Sequence, residues 1–225
     1  MNIKLFSKIL FSSTILALAY GCASKGKGGT ADKAEEDAKQ TEIQADLAKK
    51  PPKWSSSGDS DIDLIGEKIW KLVDGSYTRM NQLNDKVNNQ TDYNQFLQTL
   101  TARQEENKDF SAQDLLKEWK ADTDGQAKQV PQVLAGARAV NNDLNAVEIF
   151  LKESLQLPEI VKIAVSVKSV KAKMESASFL TKAKLAKAAL NLPKGVAYIS
   201  HCNGVISKLK ENNKVLLATN KSQAN

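Results

Sequence analysis

Residues 61–87, DIDLIGEKIWKLVDGSYTRMNQLNDKV, decide the fold class. Ile62, Ile65, Ile69, Leu72, Val73, Met80, Leu83 and Val87 recur at three- and four-residue spacing, which lines one side of an α-helix with apolar groups. Ser60 or Asp61 reads as the N-cap, and the polar run Asn88, Asn89 and Gln90 ends the stripe. One amphipathic helix is unstable alone in water, so this stripe requires partners of the same kind.

Working toward the C-terminus, those partners follow. Tyr93, Phe96, Leu97 and Leu100 begin a shorter helix after Thr91 or Asp92. Ser111 and Asp114 have capping-box spacing ahead of Leu115, Leu116 and Trp119. Residues 122–125, DTDG, read as a turn, and Pro131 suits a first helical turn. Val133, Ala137, Val140, Leu144, Val147, Leu151 and Leu155 make a second long stripe.

Pro158 then opens the longest segment, predicted to run as one helix to Leu192. The β-branched run 160–170 could be read as a strand, but its spacing and length favour helix. Pro193 and Gly195 are predicted to stop it, and Val196, Ile199, Cys202, Val205, Ile206 and Leu209 form a last stripe. The fold expected is all-α, an antiparallel helical bundle of about five to six helices.

Composition agrees with that reading. Hydrophobic residues make up 41% and aromatics 6%, with only five prolines and eleven glycines, which suits a helical core better than a β-rich one. Charge is uneven: residues 158–225 hold twelve lysines against three glutamates, a net +9, whereas 1–157 hold twenty basic and twenty-three acidic side chains, a net −3. Such asymmetry fits an anionic partner, or two halves of one domain that attract each other, or a solvated lysine face.

Toward the N-terminus the pattern changes twice. Residues 23–58 are poor in large apolar side chains. Residues 24–30 (SKGKGGT) are flexible by composition, residues 31–50 favour a weak helix, and Pro51 and Pro52 break it. Trp54 is expected to dock on the domain or on a headgroup layer. Residues 1–8 carry Lys4 and Lys8 without an acid, and 9–19 (ILFSSTILALA) are apolar but too short to span a bilayer, so the segment reads as a signal peptide. Ala19, Tyr20, Gly21 and Cys22 follow directly.

These four residues resemble the lipobox of bacterial lipoproteins, in the relaxed form seen in spirochaetal ones. Ala19 and Tyr20 depart from the Leu and small residue of the commonest pattern. The resemblance covers only the N-terminal signal, and it implies cleavage before Cys22, whose sulfur and new amino group carry acyl chains of the palmitate kind. The expected organisation is a signal peptide at 1–21, a lipidated flexible tether at 22–58, and a helical bundle domain at 59–225.

Chemistry is sparse. His201 is the single histidine, so neither a zinc site nor a histidine-based triad can be assembled in the usual way. Adjacent helical residues point about 100° apart, which keeps His201 from serving Cys202 as a base. Cys202 lies on an apolar stripe and reads as a buried thiol. No nucleotide-binding or calcium-loop motif is complete. No catalytic residue, metal ligand or cofactor is assigned, and the chain is not expected to be an enzyme.

The one cluster to examine is Lys168, Lys171, Lys173, Lys182, Lys184 and Lys187, a candidate anionic-surface patch. At helical spacing Lys162, Lys173, Lys184 and Lys187 fall on one flank of the buried stripe, and Lys168, Lys171 and Lys182 on the other. The expected protein is a membrane-anchored cell-envelope lipoprotein on the outer membrane that binds or scaffolds, with a surface-exposed version of that reading. Its partners are the membrane through the N-terminal lipid and an anionic lipid, lipopolysaccharide, sulfated glycan or protein, but not nucleic acid. The alternatives are a periplasm-facing structural or assembly factor and an enzyme of unrecognised type.

Overall fold

A computed structural model describes residues 50, 52–122, 125–161, 170 and 172–221. The helices are α1 (Ser60–Asn88), α2 (Thr91–Glu106), α3 (Ala112–Ala121), α4 (Val130–Gln156), the short α5 (Pro158–Val161) and α6 (Phe179–Lys221). A 3-10 turn, Gln126–Gln129, leads into α4, and residues 172–176 are also helical. Among the described residues there is no strand, and the all-α helical bundle read from the sequence is the fold observed.

The described chain groups into two compact units, one from residues 80–148 and 204–221, the other from 50–79 and 149–203. In the first, α4 runs against α6. Asn213 of α6 donates its amide to the Ala137 carbonyl at 3.0 Å and to Asn141 Oδ1 at 3.2 Å, and Lys210 pairs with Glu148 one helical stretch further along α4. Tyr93 of α2 donates its hydroxyl to Asn213 Oδ1 at 3.1 Å. A Cβ on Gly136 would lie 2.5 Å from Cβ of Tyr93, so only glycine lets α2 come this close. The rings of Phe96 and Trp119 meet edge to face at 5.2 Å, joining α2 to α3. The capping box at Ser111 and Asp114 forms as its spacing predicts.

In the second unit, α1 is capped by Asp59, one residue earlier than the caps expected. Its carboxylate accepts from the backbone N–H groups of Asp61 and Ile62, both at 3.2 Å. Asp63 turns back to accept from Ser56 Oγ and the Ser57 N–H, both at 2.6 Å. Gly58, at φ 80°, makes the left-handed turn that this loop needs. The boundary at 59 read from composition therefore falls inside a folded start of the domain.

That start extends further back. The Trp70 indole N–H donates to the Pro52 carbonyl at 2.7 Å, and the rings of Trp54 and Trp70 are 5.4 Å apart. Gly66 supplies the space, because a Cβ there would lie 2.2 Å from Cε2 of Trp54. Trp54 docks on the domain, one of the two placements its sequence left open. Behind Trp70, a Cβ on Gly195 of α6 would lie 2.7 Å from Ile69 Cγ2 and 2.9 Å from Trp70 Cζ3. Full burial of a side chain of the Ile or Leu class stabilises by about 1.5–3 kcal/mol, so Ile69, Val73, Leu192 and Ile199, each at 0% exposure, are major contributors.

Two expectations about the C-terminal helices fail. The helix predicted to be unbroken from Pro158 to Leu192 is interrupted at Ala177 and Ser178. Ser178 ends the earlier segment and starts α6: its carbonyl accepts from the Lys182 N–H at 2.8 Å, and its hydroxyl lies 3.0 Å from Thr181 Oγ1. The stop predicted at Pro193 does not occur, since α6 continues through it. Pro193 and Lys194 are exposed while Leu192 and Gly195 are buried, so the ring faces solvent and the core contacts on either side hold the helix together. Most of the β-branched run, 162–169, lies outside the described residues.

Gly66→Ala tests the docking of the first segment. Alanine favours an isolated helix by about 1 kcal/mol over glycine, yet its methyl group displaces Trp54. The expected outcome is a lowered melting temperature, because the lost aromatic packing outweighs that gain, with red-shifted tryptophan fluorescence and faster tryptic cleavage at Lys53; an unshifted spectrum and unchanged cleavage would contradict the packing.

Candidate functional site

Among the described residues no group of three or more His, Cys, Asp or Glu side chains could hold a metal ion. His201 is half-buried, and burial lowers its pKa, which favours the neutral ring. Cys202 is 3% exposed, and burial pushes its thiol up to about 12 against an opposing hydrogen bond from Tyr198. A thiol held protonated is a poor nucleophile and a poor metal ligand.

One buried polar group anchors a side-chain network. Asn213 is fully buried and joins Tyr93, Ala137 and Asn141. Burial raises the Tyr93 phenol well above its usual range, so it stays a hydrogen-bond donor. This network orders α2, α4 and α6 within one unit.

The lysines of the predicted patch divide. Lys168 and Lys171 lie outside the described residues, as do Lys162 and Cys22. Lys173 is tied to the start of α1: its ammonium lies 2.6 Å from Asp59 Oδ2 and 3.7 Å from Asp61 Oδ2. The hydrogen bond to Asp59 raises the Lys173 pKa and lowers that of Asp59, so this lysine reinforces the α1 cap. Lys182, Lys184 and Lys187 are exposed on α6.

Beside those three lysines is a feature missed in the sequence. Phe179, Leu180 and Leu190 are 90%, 68% and 67% exposed, the highest values of any large hydrophobic side chain described. The sequence holds the signal: Leu185, Ala188 and Leu192 define the buried side of α6, and at about 100° per residue Phe179 and Leu190 must fall opposite. Lys187 and Lys194 project from that same outer side, and Lys182 and Lys184 border it. From Ser176 to Lys210 the sequence has no acidic residue. Local geometry thus makes an apolar face in a positive field, suited to a surface that is both greasy and anionic.

Comparisons with protein-family models, with curated proteins and with solved structures gave no match. Among the described residues no helix is long and apolar enough to cross a membrane.

Two outcomes are expected of the titratable groups. Asp59 is held below its usual 3.8 chiefly by the Lys173 hydrogen bond. For Asp63, burial alone would raise the pKa, but the hydrogen bonds from Ser56 and Ser57 outweigh it and the pKa also lies below 3.8. A carboxylate depressed by folding stabilises fully above its unfolded pKa and loses that contribution as pH falls through the folded value. Stability is therefore expected to drop below about pH 4, read by tryptophan fluorescence, and Asp59→Asn should shrink this acid-dependent part while leaving the neutral-pH spectrum in place. Separately, a chain with Cys22→Ser should show almost no reaction with Ellman's reagent at pH 8 when folded and one full equivalent in denaturant; rapid reaction in the folded state would contradict the buried thiol.

Proposed function

We propose that this chain is a lipid-anchored lipoprotein of the bacterial cell envelope, held on the outer membrane, where its helical domain binds or scaffolds rather than catalyses. The observation that carries this reading is the placement of Cys22: it directly follows Ala19, Tyr20 and Gly21 at the edge of the apolar run 9–19, behind Lys4 and Lys8. Acyl chains on that residue would each contribute about 0.8 kcal/mol per buried methylene, enough with two or three chains for firm attachment. The buried thiol at Cys202 and the half-buried, neutral His201 give the described domain little means of nucleophilic or proton-transfer chemistry, which supports a binding role.

Mass spectrometry of the N-terminus from native membranes is expected to find a chain starting at Cys22 with acyl modification. Cys22→Ala should abolish labelling by radioactive palmitate and move the protein out of the detergent phase. An unmodified sulfur, or a mature chain that starts elsewhere, would refute the reading. Protease added to intact cells then reports the side: degradation marks the surface-exposed form, and protection marks the periplasmic one.

A further inference from the structure

Phe179, Leu180 and Leu190 are large apolar groups turned to water at one end of a helix whose opposite side is already buried. Exposed apolar side chains scattered singly are ordinary, but three within four turns of one helix, interleaved with lysines, form a patch that calls for an occupant. Charge identifies its chemistry. Lys182, Lys187 and Lys194 surround the three apolar groups, none of them ion-paired among the described residues, and the neighbouring sequence offers no acid from Ser176 to Lys210. In a two-fold pairing of this face with a second copy, each patch of lysines would meet another patch of lysines. An anionic bilayer has the opposite charge and a hydrocarbon layer beneath it.

We propose that this face of α6 docks on an anionic phospholipid surface, with Phe179, Leu180 and Leu190 entering the boundary between headgroups and acyl chains and the lysines resting on the phosphates. The lysine stems are long enough to keep their ammonium groups at headgroup level while the apolar side chains sink below. The proposal rests on the lipoprotein reading only for the protein's presence at a membrane, and it deepens that reading by naming a second contact. Residues 179–203 belong to the same compact unit as residues 52–59, where the chain arrives from its N-terminal end. A lipid at Cys22 and a weak surface contact in this unit would then act together, the first holding the protein at the bilayer and the second laying this part of α6 along it.

The test uses the chain from residue 22 with Cys22→Ser, so that no acyl group contributes, mixed with vesicles of phosphatidylcholine plus phosphatidylglycerol or of phosphatidylcholine alone. Binding to the mixed vesicles is expected at least about tenfold above the neutral ones and falling with added salt, because lysine–headgroup attraction is screened. Phe179→Ser with Leu180→Ser and Leu190→Ser should abolish it. Lys182→Gln with Lys187→Gln, which leaves the apolar groups in place, should weaken it roughly twenty-five-fold, from about fivefold per lysine. All of these side chains are exposed, and unchanged circular dichroism confirms that the variants fold.

Equal binding to both vesicle types, no binding to either, or binding indifferent to both sets of substitutions overturns the proposal. So does a wild-type dimer in sedimentation that the serine variant turns into a monomer, since a second copy would then be the occupant. These outcomes are independent of whether Cys22 carries lipid in the cell, so either reading can fail alone.

Discussion

Burying an indole costs least when two demands are met at once: its large ring needs close packing and its N–H needs an acceptor. Trp70 meets both only because chain from three places comes to it. Pro52 supplies the acceptor at 2.7 Å, Trp54 covers one side of the ring, and the missing side chain of Gly195 admits α6 to the other. Loss of any of these leaves either an unpaired donor in an apolar setting or a void beside one of the two largest side chains in that unit. The adjoining Ser56–Asp63 and Asp59–Lys173 contacts then fix where α1 begins and what lies against it.

The other unit solves a similar problem with amide chemistry. Asn213 is fully buried and uses both ends of its side chain, accepting from Tyr93 and donating to Ala137 and Asn141. A buried polar group whose partners are all present specifies one arrangement, since sliding α6 by a single turn would orphan three groups together. Gly136 completes that arrangement by letting the Tyr93 backbone approach α4. Glycine on a contact face thus recurs at 66, 136 and 195, each time beside an aromatic side chain.

Helical periodicity made most of the architecture legible. The stripes from Ile62 to Val87 and from Val133 to Leu151 lie on helices α1 and α4, with Ile62, Val87, Val133 and Leu151 all buried, and the Ser111 box forms as read. What escaped the sequence were features decided by contacts distant along the chain. Pro193 looks like a stop because proline lacks a donor, but burial of Leu192 and Ile199 on either side outweighs one lost hydrogen bond. Residues 52–58 look like spacer because nothing local says that Gly66 leaves room for Trp54. Of the candidate patch, lysine count gave the place on α6 but not the composition: Lys173 belongs to a helix cap, and the apolar half of the face becomes visible only when outward positions are sorted from inward ones.

The lid of Trp54 over Gly66 has a mechanical side. In a chain tethered by its N-terminal end, any drag on the domain is transmitted through residues 50–59 before it reaches α1. The Lys50–Asp74 pair, the Trp54–Trp70 contact and the Ser56–Asp63 bond lie in that order along the chain, so tension from that end would reach them one after another. Peeling contacts one at a time takes far less force than pulling a helix out of a core. Under the lipid anchorage proposed above, the folded start of the domain would be the first part to yield, before the helices behind it.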